Sequence, residues 1–323
     1  MSPELRARVE ASVTGRRHGS GSRLGPRATM VLRVVALTSI VATLVWLVST
    51  KRRADQETDA LRSSLLERSA RAAHGLTEQE LAIAKRAAPW LKREAEAYLG
   101  DLVTPRAASL ALLSGLLKQP TVYVRGPLAE VSNSQGLERS ARESAKDAFV
   151  LCLLDPPTGR SEKASRSEKA MLGRAKSAYA AGERMQQATG HITRLGDAYV
   201  GLPFLQAAWR ERIAQAEQHQ ALVELARTFE RVPLDKAREA LKSRLLLFAI
   251  DEPGERAAVS ELDGEKPHSV RVGLIDLSSG QLLLRLRRRV DPSSLSEATR
   301  AEYARGVDDC SLALDVRQAV TES

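Results

Sequence analysis

The sequence predicts an α+β protein in which one N-terminal transmembrane helix and a helical stalk precede a small, mainly antiparallel sheet packed with long helices. Three observations predict this class: an apolar segment near the N-terminus, helical periodicity after it, and apolar runs alternating with amphipathic segments in the C-terminal part. The predicted divisions are a disordered basic arm over 1–29, a transmembrane helix over 30–50, a helical stalk over 51–118 and an α+β domain over 119–323.

The apolar segment MVLRVVALTSIVATLVWLVST, from Met30 to Thr50, carries a single charge at Arg33. About 20 apolar residues in a helix are enough to cross the hydrocarbon core of a bilayer. A cleaved signal peptide is the alternative, but its apolar part is typically shorter, and STKRRAD is a poor cleavage site. The segment therefore predicts an uncleaved single-pass anchor, with a lipid bilayer as the first expected partner.

The orientation of this predicted span depends on the residue that begins translation. With the leader intact, its arginines nearly balance Lys51–Arg53 under the positive-inside rule. The Ala-, Leu- and Arg-rich, Lys-poor composition is typical of a GC-rich bacterial genome. We expect a bacterial inner-membrane protein whose C-terminal domain is periplasmic. A start at Met30 would instead place that domain in the cytoplasm.

The predicted stalk contains two helical stretches. The first has a thin apolar stripe formed by Leu61, Leu65 and Leu66. TEQE predicts a capping box from Thr77, and Pro89 is expected to break or kink the helix that follows. The stripe suggests a homodimer through a coiled coil, although there are fewer clean heptads than a coiled coil needs.

The part of the chain beyond the stalk predicts strands and further helices. TVYVRG alternates as a strand does, and the uninterrupted apolar run Ala148–Leu154 predicts a strand buried on both faces. RLLLFAID, HSVRVGLIDL and GQLLLRLRRRV predict three more strands, of which the last two form a hairpin. The apolar spacing from Leu202 to Phe229 predicts one long amphipathic helix. CSLALDVRQAV fits a helix or a strand, and we predict a helix.

The two cysteines, Cys152 and Cys310, both fall in the predicted core and form a candidate disulfide. Closing so long a loop contributes roughly 4–5 kcal/mol in the chain-entropy model. Disulfides persist in oxidising compartments and are rare in the cytosol. The alternative is a pair of buried free thiols. Neither cysteine has the C-x-x-C spacing of a redox or zinc motif.

Strand alternation in GQLLLRLRRRV separates an apolar face from an arginine face. The apolar face comprises Leu282, Leu284, Leu286 and Val290. The arginine face comprises Arg285, Arg287 and Arg289, with Arg271 on the neighbouring strand. Guanidinium groups bind phosphate and carboxylate, so this face is a candidate contact for an anionic partner. The alternatives are a solvated face or one neutralised by the acidic residues of a covering helix.

Three predicted strands end in an aspartate, at Asp155, Asp251 and Asp276. In parallel strands these carboxylates would meet at one edge and form a candidate divalent-metal site. In an antiparallel meander they would lie at opposite edges, and aspartate is also an ordinary residue at the start of a turn. The histidines show no paired spacing, and the chain lacks H-E-x-x-H, G-x-x-x-x-G-K-[ST], G-x-G-x-x-G and G-x-S-x-G. Common hydrolases, nucleotide-binding folds and zinc peptidases are thereby disfavoured.

The formal charge of +9 is compatible with nucleic acid or with an anionic membrane surface. Only 4% of the residues are aromatic, and none lies in the arginine strand, so stacking platforms for nucleic acid are absent there. The sequence favours a non-catalytic periplasmic binding or assembly module without cofactor or metal, partnered by an envelope protein. The alternatives are an enzyme or metal-binding domain using the strand-end aspartates, and a cytoplasmic domain whose arginine face contacts anionic lipid.

Overall fold

The computed structural model describes residues 26–157, 166–180, 183–253, 267–291, 295–302 and 304–322. The chain divides into two compact units, Met1–Ala60 and Leu61–Ser323. Residues 1–25 of the predicted basic arm lie outside the described residues, and 26–29 belong to the first helix.

The second unit contains helices and six strands, and α1 begins in the first unit. The helices are α1 Pro26–Ala73, α2 Glu78–Leu81, α3 Ile83–Glu96, α4 Leu110–Leu117, α5 Leu128–Val131, α6 Ser134–Glu143, α7 Ala148–Leu154, α8 Glu168–Tyr179, α9 Glu183–Thr189, α10 Leu195–Leu205, α11 Ala207–Gln215, α12 His219–Arg231, α13 Leu234–Leu241, α14 Glu297–Glu302 and α15 Ala304–Glu322. The strands are β1 Leu102–Val103, β2 Thr121–Pro127, β3 Ile192–Arg194, β4 Leu245–Asp251, β5 His268–Asp276 and β6 Gln281–Val290.

The predicted transmembrane helix is not supported, and this part of the predicted fold class is wrong. The helix that contains the apolar segment does not end with it, because α1 continues through the charged residues Lys51–Arg53 to Ala73. Across the described residues, no helix combines the length and the apolar character that crossing a bilayer requires. The described fold is therefore a mixed helix-and-sheet fold.

The sheet is mixed, which corrects the predicted mainly antiparallel arrangement. Its six strands are ordered β1-β6-β5-β4-β2-β3. β2 is parallel to both β3 and β4, whereas β4, β5, β6 and β1 pair antiparallel in turn. Parallel strands need crossover connections, and such connections place helices on the faces of a sheet. Both faces of this sheet are consequently covered.

Side-chain alternation along β2 and β4 supplies two separate cores. Tyr123 belongs to the first, the disulfide core, which also contains both cysteines. Val122 and Val124 belong to the second, the α3 core, which contains the buried residues of α3. Successive positions on a strand point to opposite faces, so Arg125 lies on the same face of β2 as Tyr123.

The run Ala148–Leu154 is helix α7 and not the predicted strand. The side chain of Asp147 caps its N-terminus by accepting the Val150 N–H at 3.2 Å. The first six residues of α7 are all buried, so the run is apolar on every side of the helix. Periodicity alone does not separate a helix buried on all sides from a strand buried on both faces. The predicted helix in CSLALDVRQAV is confirmed as part of α15.

From Leu61 onward, the predicted stalk belongs to the second unit and packs within it. The capping box at Thr77 is present. α3 runs through Pro89 as far as Glu96, so of the predicted break or kink at this proline, the break is absent. Leu65 is buried with Trp209 and Phe229 in a third core. That core joins α1 to α11 and α12, so other helices of the chain pack against the apolar stripe formed by Leu61, Leu65 and Leu66.

The predicted long helix from Leu202 to Phe229 is divided into three helices. Gln206 and Ala216 adopt extended backbone conformations, with ψ of 160° and 106°, and separate α10, α11 and α12. The apolar stripe nevertheless reaches one core, since Ile213 and Leu222 both lie in the third core. The sequence pattern therefore identifies the buried face and misses the turns.

Cys152 of α7 and Cys310 of α15 lie at disulfide distance, with their sulfur atoms 2.00 Å apart. Both residues are fully buried. The pair connects two helices of the disulfide core that are 158 positions apart in sequence.

We expect the double substitution Cys152→Ala with Cys310→Ala to lower the free energy of unfolding by about 3–5 kcal/mol, because the unfolded chain gains the freedom of a long open loop. Urea unfolding with and without reductant measures this. Reductant should destabilise the natural chain and leave the double variant unchanged. Equal sensitivity of the two proteins to reductant would contradict the linkage.

Candidate functional site

Arg125 lies at the centre of a buried cluster of charged residues. Its Nε and Nη2 atoms donate to the two carboxylate oxygens of Asp251 at 3.0 and 2.9 Å. Its Nη1 atom donates to Asp309 at 2.5 Å and lies 3.5 Å from Asp147. The side chain of Arg125 is 6% exposed, so these contacts form almost out of reach of water.

Four elements bring this cluster together. The parallel register of β2 and β4 pairs Pro127 with Asp251, which places the last residue of β4 beside Arg125. Asp147 is the residue that caps α7, and Asp309 precedes Cys310 on α15. The cluster therefore lies at the carboxyl ends of adjacent parallel strands, which is the edge where open α/β sheets commonly bind ligands.

The ion pairs hold most of these groups in their charged forms. Burial acts to raise the pKa of Asp251, but Arg125 and His268 outweigh burial and keep the pKa well below its usual value. Burial opposes the charge on Arg125 in the same way, and Asp251 and Asp309 outweigh it. Tyr123 donates its hydroxyl to Asp147 at 2.9 Å, and burial together with the neighbouring carboxylates raises the pKa of this phenol.

Asp308 is the exception in the cluster. Burial and the adjacent carboxylate of Asp309 raise the pKa of Asp308 to about 7. Its Oδ2 atom is buried and has no hydrogen-bond partner among the described residues. A carboxyl group with this pKa is protonated about half of the time near pH 7, which lowers the negative charge around Arg125.

The cluster has the composition of an ion-pair network. Across the described residues, no three His, Cys, Asp or Glu side chains form a group suited to a metal ion. Arg125 stays protonated, so it can orient and neutralise carboxylates but cannot take part in proton transfer.

The three predicted strand-end aspartates do not meet. Asp155 follows α7 and pairs with Arg174 at 3.2 Å. Asp276 ends β5, which is antiparallel to β4, so it lies beside the first residue of β4, whereas Asp251 is the last residue of β4. Asp276 pairs with Arg106 at 3.2 Å. The candidate metal site built from these carboxylates is therefore wrong.

The predicted arginine face surrounds one aromatic ring. The guanidinium carbons of Arg271, Arg285 and Arg287 lie 5.8, 5.8 and 5.9 Å from the centre of the Tyr98 ring. Such distances are within the range of cation–π attraction. Tyr98 follows α3, so this is the face covered by a helix, as one of the sequence alternatives anticipates.

Two arginines of this face are used inside the fold. Arg285 pairs with the buried Glu94 at 3.4 Å and donates to the Gly100 carbonyl at 2.8 Å. Arg271 donates to the Glu94 carbonyl at 2.6 Å and pairs with Glu252.

The outer part of the arginine face remains accessible. The side chain of Arg287 is 48% exposed although it pairs with Glu252. Arg289 is exposed. The predicted arginine face thus divides into a buried part, Arg271 and Arg285, and an exposed part, Arg287 and Arg289.

Sequence alternation misplaces one residue of β6 and overlooks another. Leu282 packs against the α3 core, because the ladder between β5 and β6 shifts register between Leu274 and Ile275. Arg288 was absent from the predicted set, yet its Nη1 atom bonds the exposed Asp101 at 2.7 Å. Only its position within the run of arginines hinted at a shared role.

The functional residues that sequence reasoning missed are those of the Arg125 cluster. No spacing links Arg125, Asp147 and Asp309 in the sequence. The sequence indicates Asp251, but as part of a metal site.

Comparison of the chain with protein-family models, curated proteins and solved structures finds no match.

We expect Arg125→Met to lower the free energy of unfolding by about 3–5 kcal/mol, because it leaves buried carboxylates without their cation. Urea unfolding at neutral pH measures the loss. Arg139→Met is the matched control, since Arg139 is 61% exposed and pairs with Glu130 on the surface. The control should lose no more than about 1 kcal/mol. Equal losses would contradict a special role for the buried cluster.

The titration of Asp308 predicts a pH dependence of stability. Its pKa in the folded chain, about 7, exceeds the ordinary value of 3.8, so the folded state binds the additional proton between these values. The stability that this group contributes is therefore present below about pH 4 and is lost as the pH rises to about 7.

Asp308→Asn removes this titration. We therefore expect the stability of the variant relative to the natural chain to increase as the pH rises from 5 to 8. Urea unfolding at both pH values provides the comparison, with the exposed Asp235→Asn as control. A stability difference between Asp308→Asn and the natural chain that does not change with pH would refute the assignment.

Proposed function

We propose that this chain is a non-catalytic binding module of an oxidising compartment, and that the outer edge of β6 binds an acidic, extended segment of a partner protein. The observation that carries the proposal is that β6 is much longer than β1, its outer neighbour in the sheet. β6 runs from Gln281 to Val290, but β1 pairs only with Leu284 and Arg285.

The edge beyond Arg285 has no neighbouring strand among the described residues. Leu286–Val290 continues the strand past β1. On that side the Arg287 N–H donates to Asp101 at 3.1 Å, and the Arg287 carbonyl accepts from the Arg288 Nη1 atom at 2.7 Å. An exposed strand edge offers free backbone donors and acceptors to an additional strand. A carboxylate already bonds this edge, in the form of Asp101.

The side chains at this edge determine which partner fits. Arg287 and Arg289 are exposed, and Leu99, which follows Tyr98 in the chain, is 70% exposed. Arginine and aromatic side chains are enriched in protein interfaces, and Tyr98 supplies the aromatic ring. Two copies of this edge would repel each other through their arginines, so the complementary partner is acidic.

The cysteine pair supports the proposed compartment. Cys152 and Cys310 are at disulfide distance. Disulfides of this kind persist where the surroundings are oxidising and are rare in the cytosol. An extracytoplasmic location agrees with the first sequence hypothesis. The enzyme alternative receives no support, because its aspartates lie apart.

The test uses the full chain and a synthetic peptide of alternating Glu and Val, with a Lys and Val peptide for comparison. We expect the acidic peptide to bind and the basic peptide not to bind, as measured by fluorescence anisotropy. Arg287→Glu with Arg289→Glu should weaken binding by about tenfold or more, because the charge complementarity is reversed.

The matched control is Arg210→Glu with Arg231→Glu, which changes the net charge equally at exposed positions of α11 and α12. This control should retain affinity. An equal loss of peptide affinity in both double variants would mean that binding depends on net charge alone, and this would overturn the proposal. Binding of anionic vesicles in place of the peptide, sensitive to Arg287 and Arg289, would support the lipid alternative instead.

A further inference from the structure

The outer edge of β6 is closed at one residue by side chains of the chain itself. The Arg287 N–H donates to Asp101 Oδ1 at 3.1 Å, and the Arg287 carbonyl accepts from Arg288 Nη1 at 2.7 Å. The same Nη1 atom donates to Asp101 Oδ2 at 2.7 Å. We call Asp101 and Arg288 the edge cap, because together they occupy both backbone groups that Arg287 offers at this edge.

The edge cap takes the place of a neighbouring strand with side-chain atoms. In an antiparallel ladder, a neighbouring strand supplies one acceptor and one donor to each outward-facing residue. Here a carboxylate is the acceptor and a guanidinium is the donor. This contact satisfies Arg287 without extending the sheet, and charged side chains are one means by which proteins prevent an exposed strand edge from pairing with another chain.

The backbone on both sides of Asp101 is held in place. Arg285 Nε donates to the Gly100 carbonyl at 2.8 Å, and Leu102 pairs with Arg285 across the ladder between β1 and β6. The Asp101 side chain is 47% exposed. Moving its carboxylate away from β6 therefore requires the rotation of one side chain and leaves β1 where it is.

The Asp101 carboxylate is charged at neutral pH. Burial acts to raise its pKa, but hydrogen bonds from Arg288, Tyr98 and the Arg287 N–H outweigh burial and lower the pKa. Ion pairs that water can reach contribute little to stability, and the Arg288 side chain is 24% exposed. A carboxylate on a partner can therefore compete with Asp101 for the same guanidinium.

We propose that the edge cap regulates the β6 interface: Asp101 occupies the position of a partner carboxylate, and an acidic strand binds by displacing it and pairing with Arg288 in its place. This inference rests on the proposed function. It adds Arg288 to Arg287 and Arg289 as a residue that determines specificity. The interface becomes selective, because only a partner with a carboxylate at this position replaces the ion pair that it breaks.

The test measures binding of the alternating Glu and Val peptide to the full chain and to Asp101→Ala by fluorescence anisotropy. Asp101→Ala should bind the peptide about fivefold more tightly, because the peptide no longer displaces a carboxylate of the chain. Glu96→Ala is the matched control, since Glu96 is 59% exposed at the end of α3 and its removal changes the net charge equally. The control should retain the affinity of the natural chain.

Arg288→Met tests the other residue of the edge cap. Combined with Asp101→Ala, it should abolish the gain in peptide affinity, because the peptide carboxylate loses its ion-pair partner. Arg231→Met combined with Asp101→Ala removes an equal charge at an exposed position of α12 and should retain the gain. Equal peptide affinities of the two double variants would overturn the role of Arg288.

Amide hydrogen exchange at Arg287, followed by NMR, detects the edge cap independently of peptide affinity. Without peptide, exchange at Arg287 should be faster in Asp101→Ala than in the natural chain, because the amide loses its acceptor. Addition of the peptide should slow this exchange in the variant. An exchange rate that Asp101→Ala leaves unchanged would overturn the edge cap.

The outcomes distinguish this inference from the proposed function. If the natural chain binds the peptide and Asp101→Ala binds it equally or more weakly, the edge cap is overturned and the β6 interface stands. An equal gain in Asp101→Ala and Glu96→Ala also overturns the edge cap. Absence of peptide binding by both the natural chain and Asp101→Ala overturns the β6 interface, and this inference with it.

Discussion

The ion pairs of Arg125 are the interaction on which the disulfide core depends. One guanidinium joins the ends of β2 and β4 to the start of α7 and to α15. Carboxylates from three different elements would repel one another without this cation, and their side chains are at most 21% exposed. The cluster therefore fixes which helix ends can meet at this edge of the sheet. The adjacent cysteine pair makes the same connection between α7 and α15 covalently.

The proposed β6 interface follows from what this framework leaves unpaired. The mixed sheet ends in the short strands β1 and β3, and neither covers its neighbour completely. At one end of the sheet, β6 continues past β1 with exposed arginines. The internal arginines Arg271 and Arg285 hold Tyr98 and the residues after α3, and this support positions the exposed arginines beside them.

The arginine face shows how far alternation can be taken as a guide. Period-two spacing correctly groups Arg285 and Arg287 around Tyr98, because successive strand residues point to opposite faces. It does not reveal that Glu94 and Glu252 neutralise part of the face, since they come from distant segments. It also fails at Leu282, where a register shift between β5 and β6 changes the side of the sheet.

The sequence by itself determined the local features: the capping box at Thr77, the apolar faces of the helices, the strand-forming runs and the chemical identity of the arginine strand. These depend on neighbouring residues and on regular periodicity. The tertiary structure alone decided that Ala148–Leu154 is a helix, that α1 continues past its apolar segment, and that β2 is parallel to β4. It alone brought Arg125 to Asp309, because contacts between distant segments depend on strand order and packing, which no local pattern encodes.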